Sequence, residues 1–126
     1  VPRGGDATRA AFLRWLVFIV ANIYPTYTYG DEPSRFVAGE EAQRSFLEHV
    51  NAYAKKLYSV LEAAAGAPWF LGGRFSALDI YVCVVTRWRP RREWFAANTP
   101  KLAAIAARTE QVPALAAWTQ RNRLSA

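Results

Sequence analysis

The 126 residues contain a single cysteine, Cys83, and a single histidine, His49. One thiol rules out an intramolecular disulfide. One thiol with one imidazole falls short of a zinc site built from cysteine and histidine, so no metal is expected. The scarcity of cysteine fits a reducing, cytoplasmic compartment. No basic segment followed by an apolar core marks a signal peptide. The longest uncharged apolar run, Trp15 to Ala21, is too short to cross a bilayer, so no membrane is expected among the partners. Repeats, low-complexity tracts and paired strand signals are missing as well.

What is present is an apolar and aromatic chain. Hydrophobic residues make up 52%, and five Trp, six Tyr and seven Phe supply 14% aromatics, ample for the core of one domain of this length. Sixteen Lys and Arg against ten Asp and Glu leave a net charge of +6. An excess of that sign attracts nucleic acid, anionic lipid or an acidic partner, but only Arg87, Arg89, Arg91 and Arg92 form a dense cluster. Trp88 and Trp94 interleave with those arginines in the manner of a nucleic-acid surface. A solvated helix corner explains the cluster equally well, so nucleic acid is not the expected partner.

Residues Val1 to Gly5 read as a linker or tag remnant, and the domain as residues 6–126. Asp6 is a candidate N-cap for a helix from Ala7 to the Tyr27 region. That helix carries two apolar faces, one of Leu13, Leu16, Val17, Val20, Ile23 and Tyr24, the other of Phe12, Trp15, Phe18 and Ile19. A helix apolar on two sides has to bury both, one in its own core and one against another domain or subunit. Pro25 predicts a kink late in the helix. A polar loop covers Gly30 to Gly39. A second helix runs from Glu40 to Ala65, with Phe46, Val50, Tyr53, Leu57, Val60, Leu61 and Ala64 inward and Gly66 as its C′ residue. The loop Ala67 to Phe75 carries the buried-looking Trp69, Phe70 and Leu71.

The sharpest local signal follows. Ser76 is placed as an N-cap with Asp79 at N3, a capping box, while Phe75 at N′ and Ile80 at N4 make a hydrophobic staple. The run Ile80 to Val85 is apolar on every side, which predicts a central, surrounded helix ended by Pro90. Shorter helices are expected over Arg91 to Ala97, from Thr99-Pro100 to about Gln111, and from Pro113 to about Asn122. The fold class is all-α.

Taken in order, Trp15, Ile23-Tyr24-Pro25, Trp69-Phe70-Leu71-Gly72, Phe75-Ser76-Ala77-Leu78-Asp79-Ile80, Arg87-Trp88, Asn98-Thr99-Pro100-Lys101-Leu102 and Val112-Pro113-Ala114-Leu115 form a pattern. The chain from about Arg9 to Arg123 thereby resembles the C-terminal helical domain of cytosolic, bacterial-type glutathione S-transferases. The resemblance implies a bundle of about five to six helices. It also implies an N-terminal thioredoxin-like domain of about 80 residues, absent from this chain, that holds the glutathione site and the residue activating the thiol. This chain alone is therefore not expected to be active. The implied function is the hydrophobic-substrate-binding and dimerisation half of an enzyme that conjugates glutathione to small apolar electrophiles in detoxification.

Carried onto this sequence, the resemblance points to Tyr24, Tyr27 and Trp88 as substrate-binding residues, the two tyrosines sharing a helix face at i, i+3. It points to Asn22 as a contact to glutathione across a homodimer, although an exposed helix asparagine has no such duty. Tyr24 and Tyr27 also read as helix-end packing. No catalytic residue is assigned. Ser76 and Asp79 lack a neighbouring histidine and read as structural caps, Cys83 as an inert core thiol, and His49 as a solvated helix residue. The alternative is a non-catalytic interaction module, similar to those attached to translation factors and aminoacyl-tRNA synthetases.

Overall fold

The computed structural model describes residues 1–121. Six helices occupy them: α1 Arg9–Asp31, α2 Glu40–Ala64, α3 Ala77–Val85, α4 Arg92–Asn98, α5 Pro100–Glu110 and α6 Pro113–Arg121. Among the described residues there is no strand, only an isolated bridge between Trp69 and Gly72. The chain is all-α. It divides into two compact units, Pro2–Ala63 and the part from Ala64 onward.

In the first unit, α1 is interrupted by a π turn at Ile19–Ile23, where the Tyr24 N–H reaches back five residues to the Ile19 carbonyl. The turn lies just ahead of Pro25, whose ring would strike the Ala21 carbonyl of a regular helix and offers it no donor. A one-residue widening absorbs both defects, and the helix continues to Asp31 rather than stopping near Tyr27. One face of the helix goes inside. Phe12, Ile19, Ile23, Thr26 and Gly30 are buried, while Leu13, Val17 and Val20 are exposed, Val17 by 60%. Of the two apolar faces, the one with Phe12 and Ile19 is thus the more deeply buried, joined by Ile23 of the other. By length and composition Arg9–Asp31 would also suit a membrane span. Within it, Ile19 and Ile23 are completely buried.

Helix α2 begins and ends within a residue of its expected bounds, with Glu40 and Glu41 at its positive end. Its buried stripe is Ala54, Leu57, Tyr58 and Leu61. Tyr53 and Val60, expected inward, are 53% and 47% exposed. Tyr58 takes the inward position because its hydroxyl has a partner, the Tyr27 hydroxyl of α1 at 2.5 Å. A buried phenol requires such a partner. Between the helices, Tyr29 and Phe36 meet edge to face at 5.1 Å, and Phe36 lies 6.3 Å from Phe46.

In the second unit, Gly66 does not take the left-handed conformation expected of a C′ residue. It is required for space. A Cβ there would come within 2.9 Å of the Gly72 nitrogen, because the loop folds back on itself. The Gly66 N–H donates to Phe70 O, and Trp69 and Gly72 exchange two backbone bonds with Gly72 at φ +94°. Phe70 is buried, whereas Trp69 and Leu71 are only half-buried.

Helix α3 is as apolar as expected, with Leu78, Val82, Cys83 and Val85 buried, but it ends at Val85 and not at Pro90. Thr86 Oγ1 donates to Cys83 O, and the Arg87 and Trp88 amides donate three residues back, to Val84 O and Val85 O. These tight turns close the helix before the proline is reached. Helix α3 packs along α5, whose Leu102, Ile105, Ala106 and Thr109 are buried.

Candidate functional site

Tyr24, Tyr27 and Asn22 all lie on α1, at or just beyond the π turn. Tyr24 is half-buried. One turn on, the Tyr27 hydroxyl is tied to Tyr58, so its ring is fixed against α2. The Asn22 side chain donates to the Phe18 carbonyl of its own helix at 3.2 Å. That bond gives Asn22 a local duty, satisfying backbone in a distorted turn. Trp88 stands in the turn after α3 and is 39% exposed.

The Ser76–Asp79 pair is a complete capping box. Ser76 Oγ accepts from the Leu78 N–H at 3.2 Å, and Asp79 Oδ2 accepts from the Ser76 N–H at 2.6 Å. The second carboxylate oxygen accepts from the Phe70 N–H at 2.7 Å, pinning the preceding loop to α3. Asp79 is completely buried. The Phe75 ring, by contrast, is exposed and stands edge-on to Trp69 at 5.0 Å, and Ile80 is half-buried.

Two members of the arginine cluster are paired, while Arg91 is exposed. Arg87 and Arg92 converge on one oxygen of Glu110 at the end of α5, Arg87 at 2.5 Å. Their side chains are only 15% and 32% exposed. One carboxylate thus holds both ends of the segment that carries Trp88. Charge-assisted bonds of this kind are the stronger class. Glu110 was not legible as a partner, since it lies 18 and 23 residues downstream of the two arginines.

Cys83 sits beside this cluster, its sulfur 3.8 Å from the same Glu110 oxygen. Burial pushes the thiol pKa up, the Glu110 charge adds to the rise, and Arg92 and Arg87 pull against it. The folded thiol therefore keeps its proton above the 9.0 of an exposed cysteine. Where only the unfolded chain has ionised, stability falls as pH rises. Labelling of Cys83 by an aromatic disulfide reagent at neutral pH should be roughly a hundredfold slower in the native protein than in urea. Equal rates would show an accessible, reactive thiol.

Among the described residues no group of three or more His, Cys, Asp or Glu is placed to hold a metal. The aromatic side chains on α1 suit binding and orientation of an apolar molecule rather than proton transfer.

Residues 20–122 match the family described as "Glutathione S-transferase, C-terminal domain". The chain is 36% identical over 124 residues to an "Uncharacterized GST-like protein YncG" of Escherichia coli strain K12, covering 98% of this chain and 60% of the relative. It is 27% identical over 89 residues to "Glutathione S-transferase GST-4.5" of Xanthomonas campestris pv. campestris, covering 68% of this chain and 44% of that protein. The chain thus spans about half the length of the curated relatives it matches. No solved structure gives a significant match.

Proposed function

Because the chain belongs to the glutathione S-transferase C-terminal domain family, we propose that it is the helical half of a protein that joins the glutathione thiol to small apolar electrophiles. In this reading a thioredoxin-like domain, in the part of the relatives that the chain does not span, binds glutathione and activates its sulfur. The helical half supplies aromatic contacts that orient the electrophile, with Tyr24 and Tyr27 in one unit and Trp88 in the other each a candidate, and part of a homodimer face. Its contribution is positional, holding the reacting carbon near the sulfur.

The observation that carries this reading is the exposed stripe Leu13, Val17 and Val20 on α1. Exposed apolar side chains in one stripe support a contact with another domain or subunit. Asn22 is the weakest member of the set, since its amide already serves the Phe18 carbonyl.

Steady-state conjugation by the full-length protein tests the assignment. Tyr24→Ala and Trp88→Ala are expected to raise KM for the electrophile about tenfold and to leave KM for glutathione within about twofold, the split expected when a contact to only one substrate is removed. A parallel rise in both, or no change in either, contradicts the proposed contacts.

A further inference from the structure

Away from the aromatic positions of α1 and the Trp88 turn, the second unit carries an open groove of about 490 Å³ between the Gly66–Pro68 loop and one side of α5. Its apolar surface comes from Ala67, Pro68, Pro100, Ala104 and Ile105. Prolines on both sides present rigid C–H faces with no amide proton. Arg108 closes one end. Its guanidinium donates to Pro68 O at 2.8 Å and lies 5.7 Å over the Trp69 ring, so it is held in place before any ligand arrives. Neither a carbonyl nor a ring cancels its charge, and only one of its five N–H donors is used in that bond.

The other end of the groove is the start of α5. Thr99 does not cap it, because its Oγ1 donates to Phe95 O instead. The helix therefore presents its positive pole beside Pro100. Lys101 lines the same end, its Nζ donating to Ala65 O at 3.1 Å. None of the residues lining the groove is acidic. From Pro100 to Arg108 the helix rises about 12 Å, the length of about four residues of extended chain.

We propose that this groove docks an extended acidic peptide segment of a protein partner, with two apolar residues on the proline-walled floor and a carboxylate at each end. One carboxylate meets the unused edge of the Arg108 guanidinium, and the other faces the first turn of α5. Complementary charge at both ends fixes the register of the peptide, and the apolar centre supplies its burial. An immobilised arginine loses little freedom on accepting a carboxylate, which favours binding.

Fluorescence anisotropy of a labelled tetrapeptide, glutamate–leucine–proline–glutamate, against the full chain tests the proposal. Saturable binding with Kd below about 1 mM is expected, weakened about tenfold by Arg108→Ala, the size of a charge-assisted bond. Ala104→Glu, at an exposed position in the middle of the groove, should abolish binding while the fold, read by circular dichroism, is retained. Equal affinity for the glutamine version of the peptide overturns the proposal. So does binding that survives both substitutions, or no binding at millimolar peptide. Hexanoate competing as strongly as the peptide would assign the groove to a small carboxylate and overturn the peptide reading.

Discussion

Replacing Asp79 with alanine should lower the stability of the chain by about 4 kcal/mol, because each buried N–H left without its acceptor costs about 1–3 kcal/mol. Two backbone donors depend on this one carboxylate, Ser76 N–H and Phe70 N–H, and the whole side chain is out of water. A helix cap on a solvated surface would be worth only about 1 kcal/mol. The difference comes from the second oxygen, which fastens the Trp69–Phe70 loop to α3 as well as closing the helix. Since small domains hold only about 5–15 kcal/mol in total, the variant should keep its fold with a much reduced margin. Urea denaturation measures the loss directly, with Ser76→Ala as the comparison that removes the Ser76 Oγ bonds to Leu78 N–H and to Asp79 Oδ2 and leaves the Asp79 carboxylate in place. A loss below about 1 kcal/mol for Asp79→Ala would mean that the loop is held by other contacts.

The second large effect is expected at Glu110. Glu110→Gln keeps the shape of the side chain but removes the charge that Arg87 and Arg92 share. Breaking a buried ion pair costs about 3–5 kcal/mol, and a surface pair is worth about 0–1. With 27% of the Glu110 side chain exposed, a loss of about 2 kcal/mol lies between those limits. In a domain of this size that corresponds to a fall in Tm of about 8 °C. Thermal denaturation by circular dichroism at low and high salt separates the cases. A drop that persists in high salt identifies a desolvated clamp, whereas a small drop erased by salt identifies an ordinary surface pair.

The capping box shows what a sequence discloses well. Ser76 and Asp79 stand at fixed local spacing, so their mutual bonds follow from three residues of helix geometry alone. The same locality made α2 readable to within a residue at either end, and made Pro100 and Pro113 readable as first helical positions. The inner face of α1 was not readable, because two apolar faces compete there and helical spacing fits both. Tyr58 was missed for a related reason. A tyrosine on an exposed-looking lysine-flanked stretch turns inward only because Tyr27 waits 31 residues earlier. Glu110 and Arg108 likewise act on segments far back in the chain, Arg108 on a carbonyl 40 residues away. Pairings of that range leave no periodic trace.

For the candidate site, the sequence brought forward the aromatic positions through family resemblance, and the structure adds the local partners of two of them. Tyr27 has a structural hydroxyl partner, and Asn22 repairs its own helix. These contacts explain why both residues suit their positions without any ligand.

The central claim is that this chain is one half of a conjugating enzyme. Mass spectrometry of products formed from glutathione and a panel of aryl halides, enones and epoxides tests it most directly. Incubated with the full-length protein, at least one of these electrophiles should yield the thioether faster than in buffer, while the chain of 126 residues alone yields none above background. A full-length protein that forms no thioether from any of them, or a chain that catalyses the reaction by itself, would contradict the account.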